Sequence, residues 1–465
     1  MNDPNKIDAS PTKEFFIHML TRDVALERAI IDLIDNSVDS ARNQIGNSNK
    51  ESLDGFSIEL QFDESEFFIS DNCGGFSPET AREYAFRFGR PNDAPSTPGS
   101  IGQFGVGMKR TIFKLGRRFE IQSITKMCTF EVNEDINEWM REKEWEFRIS
   151  NEKQIEPDAE GKVPVPGIAL HVTKLVESVA TAFSLKKTTE SLIRATKISH
   201  AVALAQGLKI VINGHLLSSH EFELVHTEEI IPAHHVVKLE YEAGEVSVEI
   251  IAGIVNKDDE HGYRGLHDGG WYVFCNGRMV MRADQGSASG WGEDGLPRYH
   301  ADFAYFRGYV FFTAENASLL PWTTTKTGVD VDSIVYRRGR QLMAEAARPI
   351  LTFLRDLATE KGLLKELPEE TEFEPVLQLA MDTAKGKPNL RYAEMHSLGL
   401  SNFTAPLLRR PKAKQRRSSS QLARRSIQYT KPSSEIEKVI EALGVSTLRE
   451  VGEATFDYFL RNECD

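Results

Sequence analysis

From residue 11 to about 45, apolar side chains recur at helical spacing, beginning with Phe15, Phe16 and Leu20, after Ser10 and Pro11, which offer an N-cap and a first-turn proline. The pattern predicts two helices. Two short runs of strand type follow, Phe56 to Phe62 and Phe67 to Ser70, ending in the turn-rich DNCGGF and then a helical stretch to about Phe88. Residues 89–101 hold three prolines and no core pattern, which predicts a mobile loop. A glycine-rich segment, GSIGQFGVGMKRTIFKLG, then opens a further helix, and strands such as RFEIQSI and IALHV complete a first domain over residues 1–178. Helices and strands mix here without βαβ regularity, so an α/β sandwich is expected.

Residues 180–206 read as helical, and strands dominate from about 208 to 312, with LKIVING, VSVEIIAGIV, GWYVFCNGRM and RGYVFFTA among them. A helix from about Asp332 to Leu357 closes a second α/β domain, residues 179–357. Residues 358–432 read as a connector and linker. Within them, Arg409 to Lys431 holds nine Lys or Arg and no Asp or Glu, a flexible basic tether. Beyond it, Ser434 with Glu437 and Thr447 with Glu450 both fit the capping box, and Gly444 stands where a first helix stops. A small helical hairpin is expected over residues 433–465.

Length and charge sharpen this division. A chain of 465 residues exceeds one ordinary hydrophobic core, and 40% hydrophobic with 27% charged residues is globular usage. The net charge of −13 would repel nucleic acid and anionic membrane; taking away the nine charges of the tether leaves −22 on the rest. The total therefore describes an acidic body with a basic tether, and it does not argue against a nucleic-acid partner. Cys73, Cys128, Cys275 and Cys464 are scattered, with neither disulfide nor zinc spacing, which fits a reducing compartment. With a charged start and no apolar run of about 18 residues, a cytoplasmic protein without a membrane segment is expected.

Three features carry candidate chemistry. In RAIIDLIDNSVDSA, Asp32, Asn36 and Asp39 fall at i, i+4 and i+7 on one helix face, with Ile30, Leu33, Ile34, Ser37, Val38 and Ala41 on the packing side. A solvated amphipathic face would look the same. Asp71 ends a strand just before Gly74 and Gly75; a carboxylate there can accept a hydrogen bond from an exocyclic amine, and a glycine lets a flat ring lie close to the backbone. A simple Asx turn is the alternative. Finally, Gly102, Gly105, Val106 and Gly107 precede Lys109 and a helix, so that backbone N–H groups can wrap phosphate oxygens. Because Met108 separates Gly107 from Lys109, this is not a Walker A loop.

In this order and spacing the three features resemble the Bergerat-fold, or GHKL, ATPases (gyrase, the heat-shock chaperone, histidine kinases and MutL), with most similarity to microrchidia-type and related prokaryotic proteins. The resemblance covers about residues 10–355. It implies that Asn36 binds Mg2+, that Asp71 reads adenine with Gly75 under the base, and that Asp39 lies near the adenine side. Gly102 to Gly107 would form the phosphate side and the start of the lid, with Lys109 beside them. The family glutamate that orients and deprotonates water falls on Asp32, one methylene shorter, which implies slow hydrolysis because catalysis is sensitive to displacements of about 1 Å. Two further departures are Cys73 at a family glycine, and Ile168 at a threonine that would bond near adenine; Thr173 is open as a substitute. The second domain resembles the transducer of the same ATPases. In LLPWTTTKTGVD, Lys326 then matches the lysine that neutralises the γ-phosphate.

Elsewhere, Asn276, Gly277 and Arg278 read as a structural hairpin turn, the tryptophans as packing, and His234 with His235 as structural. The expectation is a Mg-dependent ATPase that pairs as a homodimer on binding ATP, forming a clamp with DNA as a possible target of the 409–431 tether. A protein partner for the carboxy-terminal hairpin is compatible with this. The alternative is an ATP-binding scaffold or chaperone-like protein with little or no hydrolysis.

Overall fold

The computed structural model describes residues 11–46, 52–89, 99–101, 106–157, 162–219, 222–227, 230–255, 265–323, 325–366, 390–391, 403–404, 406–408 and 430–463. Helices α1 (Lys13–Arg22) and α2 (Leu26–Ile45) open it, as their periodicity predicts. The cap of α1 is Thr12, whose hydroxyl accepts the Phe15 N–H at 3.3 Å, and Ser10 lies outside the described residues. Strands β1 (Ser57–Phe62) and β2 (Glu66–Asp71) form an antiparallel pair, Ile58 opposite Asp71. In β1 the buried Ile58, Leu60 and Phe62 alternate with the exposed Glu59 and Gln61, the two-residue period of a half-buried strand. The helical stretch expected up to Phe88 is shorter: α3 (Pro78–Thr80) runs into a π-helical turn that ends at Ala85.

After the glycine segment come α4 (Gly107–Leu115), β3 (Gly116–Ile124), β4 (Cys128–Asp135), α5 (Ile136–Arg141), β5 (Ile149–Gln154) and β6 (Gly167–Leu175). Helices α6 (Glu177–Phe183), α7 (Lys186–Ser199) and α8 (Ala201–Ala205) then lead to β7 (Lys209–Ile212) and β8 (His215–Leu216). One sheet of eight strands results, in the order β5-β4-β3-β6-β2-β1-β7-β8. This corrects the sequence reading of LKIVING as a second-domain strand. It pairs in parallel with β1, Ile58 opposite Ile210, so the first sheet extends beyond residue 178. A chain that returns by helices to an open sheet edge cannot be told, from local pattern alone, from one that starts a new sheet.

Next in the chain are β9 (Glu223–Leu224), β10 (Ile230–Ile231), β11 (Ala233–Tyr241), β12 (Gly244–Ile254), α9 (Gly265–Asp268), β13 (Gly270–Cys275), β14 (Arg278–Asp284) and β15 (Phe306–Thr313). After α10 (Ile334–Glu366) follow β16 (Leu390–Arg391), β17 (Phe403–Thr404) and β18 (Leu407–Leu408). The second large sheet runs β14-β13-β15-β12-β11-β17. Every residue of β13 is buried, as expected of a strand covered on both faces. One face contributes Val248, Ile250 and Val310 to the main core with residues of α10 such as Ala346, Ala347 and Ile350; the other buries Phe274, Tyr309 and Phe311 with Phe222 and Val202. The fold is thus mixed α/β, an antiparallel-rich sheet domain followed by a second α/β layer. α10 runs beyond the expected end at Leu357.

Residues 412–465 form a separate unit, whose described part is a helical hairpin, α11 (Ser433–Leu443) and α12 (Leu448–Glu463). Glu450 accepts the Ser446 and Thr447 N–H groups while Thr447 accepts the Glu450 N–H, so the second capping box is realised. The first is not: α11 is capped by Pro432, and no side-chain cap bond forms at Ser434. Gly444, at φ 65°, ends α11 in the left-handed conformation. Most of the basic tether lies outside the described residues. Among the described residues, no helix is long and apolar enough to cross a membrane.

Candidate functional site

The acidic face of α2 is not a solvated one. Asp32, Asp35 and Asp39 are buried, and Asn36 alone of the group is exposed. Burying carboxylates is costly unless each finds a charged or hydrogen-bonding partner, and each does. Asp39 accepts the Ile101 N–H with both oxygens, at 2.8 Å each. It therefore ties down the chain at the end of the prolyl loop. Asp32 is paired with Arg110 of α4, and its other oxygen is 3.5 Å from the Lys326 ammonium. Asp35, with no exposed surface, lies 2.8 Å from Lys326 Nζ, 2.9 Å from Arg278 Nε and 3.4 Å from His200 Nε2. Burial pushes the Asp35 carboxyl up, but Arg278, then Lys326 and His200, outweigh it and hold it below the usual carboxylate range. Burial also pushes His200 down to about 3, so its imidazole is neutral at physiological pH.

Asp71 stands at the end of β2, half-buried. Ser37, the residue after Asn36 and on the side read as packing, donates to its Oδ2 at 2.6 Å, and the Cys73 and Ile168 N–H groups reach Oδ1 at 2.9 and 3.3 Å. Burial raises the Asp71 carboxyl, opposed by those three bonds. The backbone N–H of Ile168 thus supplies one contact at the position where the family threonine would stand. Thr173 does not substitute for it: it pairs opposite Glu66, at the other end of β2 from Asp71. Gly75 donates its N–H to Ile124 O at 3.1 Å, and a Cβ there would lie 2.3 Å from the same oxygen. At Gly167 a Cβ would lie 1.9 Å from Asp71 O. Both glycines are required because backbone meets backbone at the strand ends that hold Asp71.

Of the glycine run, Gly102 and Gly105 lie outside the described residues. Val106 precedes and Gly107 begins α4, which rests on α2 through Thr111 Oγ1 donating to Ala29 O at 2.6 Å. Gly107 faces Asp32: a Cβ there would be 3.5 Å from Asp32 Cβ. Lys109 is buried, with its ammonium donating to Ala85 O at 2.8 Å, and burial pushes it down to about 7. In this arrangement it clamps the π-helical turn to α4.

The second sheet reaches the site through two elements. The turn between β13 and β14 has positive φ at Asn276 and Gly277. It is more than the structural turn expected from sequence. Asn276 donates to Ser100 O at 3.3 Å and Ala314 O at 3.1 Å, Arg42 of α2 donates to Asn276 O at 2.6 Å, and Arg278 pairs with Asp35. The other element is the loop closed by the bridge between Trp322 and Val329, in which Lys326 adopts φ 53° and points its ammonium at Asp32 and Asp35. Lys326 is therefore brought against Asp32, which stands one turn before Asn36 on α2. Asp35, His200 and Arg110 went unnamed in the sequence reading, while Arg278 was read as part of a turn and Ser37 as packing. The signal for Asp35 was present, a further carboxylate at i+3 from Asp32 on the same helix face.

The arrangement offers an exposed amide oxygen, a buried carboxylate beside two cations, and a strand-end carboxylate with hydrogen-bonding capacity, a donor set suited to a nucleotide and a hard cation. Asn36 makes no side-chain hydrogen bond among the described residues, so its amide is available to such a ligand. No curated protein matches the chain significantly. Residues 24–162 match the family model described as Histidine kinase-, DNA gyrase B-, and HSP90-like ATPase, and the amino-terminal domain accordingly carries the ATP-binding fold of that superfamily.

Proposed function

We propose that the chain is a Mg-dependent ATP-binding protein that hydrolyses ATP slowly and works as a nucleotide-gated dimeric clamp, of the microrchidia-like kind. The observation that carries this reading is the meeting of Lys326, from beyond the second sheet, with Asp32 and Asp35 on the helix that presents Asn36. A loop that touches the reacting region of one domain while belonging to another links nucleotide state to domain arrangement. Asn36 holds the Mg2+, whose chemistry is to neutralise and orient the phosphates. Asp71, with Ser37, recognises the exocyclic amine of adenine, and Gly75 and Gly107 allow close backbone approach. Asp32 orients the attacking water and accepts its proton as the water oxygen bonds to the γ-phosphorus and the bond to ADP breaks. Lys326 balances the charge on the transferred group.

The pairing of Asp32 with both Arg110 and Lys326 favours a second reading, an ATP-binding scaffold with little turnover, because each of its oxygens is already engaged by a cation and has to be released before it can hold a water. The nine positive charges of 409–431 support a DNA partner for either reading, and they lie almost wholly outside the described residues. The large exposed side chains of α12, Phe456, Tyr458 and Phe459, support a protein partner for the hairpin. Sedimentation of the full chain with and without a non-hydrolysable ATP analogue tests the clamp. A shift from monomer to dimer on binding is expected; analogue binding with no change of mass removes the clamp, and no binding removes the ATP reading itself. Deleting residues 405–432 should abolish salt-sensitive DNA retention, and unchanged retention would exclude the tether as its source.

A further inference from the structure

The buried cluster between α2, α4 and the second sheet holds more cations than it needs. Two carboxylates, Asp32 and Asp35, face Arg110, Arg278 and Lys326, Arg28 of α2 adds a further cation within electrostatic reach of both, and the neighbouring His200 adds no charge. Arg278 Nη1 is buried without a hydrogen-bond partner among the described residues, and its Nε approach to Asp35 is a charge contact rather than an aligned hydrogen bond. Lys326, by contrast, makes an aligned bond to Asp35 Oδ2.

The two cations on Asp35 differ in how they are carried. Arg278 is the first residue of β14, paired with Cys275 across the hairpin, and is 1% exposed. Its turn is fastened to α2 through Arg42 and to Ser100 through Asn276. Lys326 sits at the tip of a loop between the exposed Thr325 and Thr327, in a left-handed backbone conformation disfavoured for a residue with a Cβ. One cation is rooted in a strand and the other is carried on a loop.

We propose that Asp35 is the resting seat of Lys326, an internal anion with which the γ-phosphate competes, and that Arg278 is the positioning residue that lets Lys326 leave. Departure of the lysine from a carboxylate without exposed surface would leave a buried charge unpaired if Lys326 were its only cation. With Arg278 in place, a neutral pair remains behind. Arg278 also repels the lysine ammonium, so it weakens the hold of the seat. The fixed turn that carries Arg278 is joined to Ser100, so the seat and the root of the prolyl loop share one anchor. This inference rests on the ATP reading given above and extends it to the regulation of the same lysine.

Binding of a non-hydrolysable ATP analogue and of ADP, each with Mg2+, to the full chain tests it in the wild type, Asp35→Asn and Arg278→Gln. Lys326 is expected to discriminate only through the γ-phosphate. Asp35→Asn should therefore raise the preference for the analogue over ADP by about tenfold, and Arg278→Gln should lower it by about the same factor, within the usual range of couplings between sites. A purely structural role would weaken both nucleotides together in both variants. Shifts of the same sign, or none, overturn the proposal. Should either variant fail to fold, hydrogen exchange in the wild type decides: the analogue and not ADP should alter exchange in residues 323–329 while residues 275–280 stay protected. Equal exchange with both nucleotides overturns the seat. A wild type that binds neither nucleotide removes the ATP reading and the seat with it, whereas normal binding with one unchanged ratio across the variants removes the seat alone.

Discussion

Asp32→Glu is the most direct test of how the site handles water. The substitution restores the longer carboxylate by one methylene, a reach of about 1.5 Å, and a displacement of about 1 Å in a reacting group is worth about 100-fold in rate. A rise in turnover of about 10- to 100-fold is expected if carboxylate position limits hydrolysis. The structure sets a cost against this gain. Asp32 is 7% exposed, Arg110 and Lys326 already hold both its oxygens, and a Cβ on Gly107 would stand 3.5 Å from its own Cβ. Adding a methylene to such a packed place costs about 1–3 kcal/mol. Steady-state phosphate release at saturating Mg·ATP, with nucleotide affinity and thermal unfolding measured on the same samples, separates the two effects. Lower stability with higher turnover is expected. A folded Asp32→Glu protein with normal nucleotide affinity and unchanged turnover would refute the reasoning that the short carboxylate slows the reaction.

Asn36→Ala should abolish Mg-dependent nucleotide binding while leaving thermal stability within about 0.5 kcal/mol, because the side chain is exposed and unbonded among the described residues; calorimetric titration and unfolding on one preparation check both halves. Gly167→Ala places a Cβ 1.9 Å from Asp71 O and must separate β6 from the end of β2, so a loss of about 2 kcal/mol or more in urea unfolding and weaker nucleotide binding are expected. His200 supplies a pH signature. Its folded form, pushed down to about 3 by burial, does not take up the proton that the unfolded chain binds below about pH 6.5, so the folded state loses up to about 1.4 kcal/mol per pH unit as pH falls. Urea unfolding of wild type and His200→Gln at pH 7 and pH 5 should show the stability advantage of the wild type shrinking by about 2 kcal/mol at the lower pH, and parallel losses would count against a buried neutral imidazole.

Much of the first domain was legible in local pattern. The two opening helices, the β1–β2 pair and the helix after the glycine run follow from periodicity and turn chemistry, because those signals depend on residues a few places apart. Asp32, Asn36 and Asp71 stood out as a set only through the order and spacing of their motifs, each local pattern being ambiguous alone. Burial was not: the i, i+4, i+7 spacing is the same whether a face meets water or a second domain, and only the partners of Asp32, Asp35 and Asp39 decide it. Those partners come from far along the chain, Lys326 standing 291 residues from Asp35. Pairing at that separation leaves no periodic trace in either segment.

The NGR turn shows the same limit most sharply. Its local chemistry, two positive-φ positions between strands, accounts fully for Asn276 and Gly277, so nothing in the segment asks for a further role. Arg278 nevertheless directs a permanent charge into a place where Asp35 has no water to fall back on. A buried carboxylate beside two cations is costly to assemble and often no more stable than an apolar replacement, so such clusters are weak evidence for stability. What this one provides instead is an asymmetry: one cation rooted in a strand, the other carried on a loop. A strand-borne arginine could hold Asp35 without Lys326, whereas the lysine alone would have no low-cost way to leave, and the order of departure follows from which residue the backbone holds still.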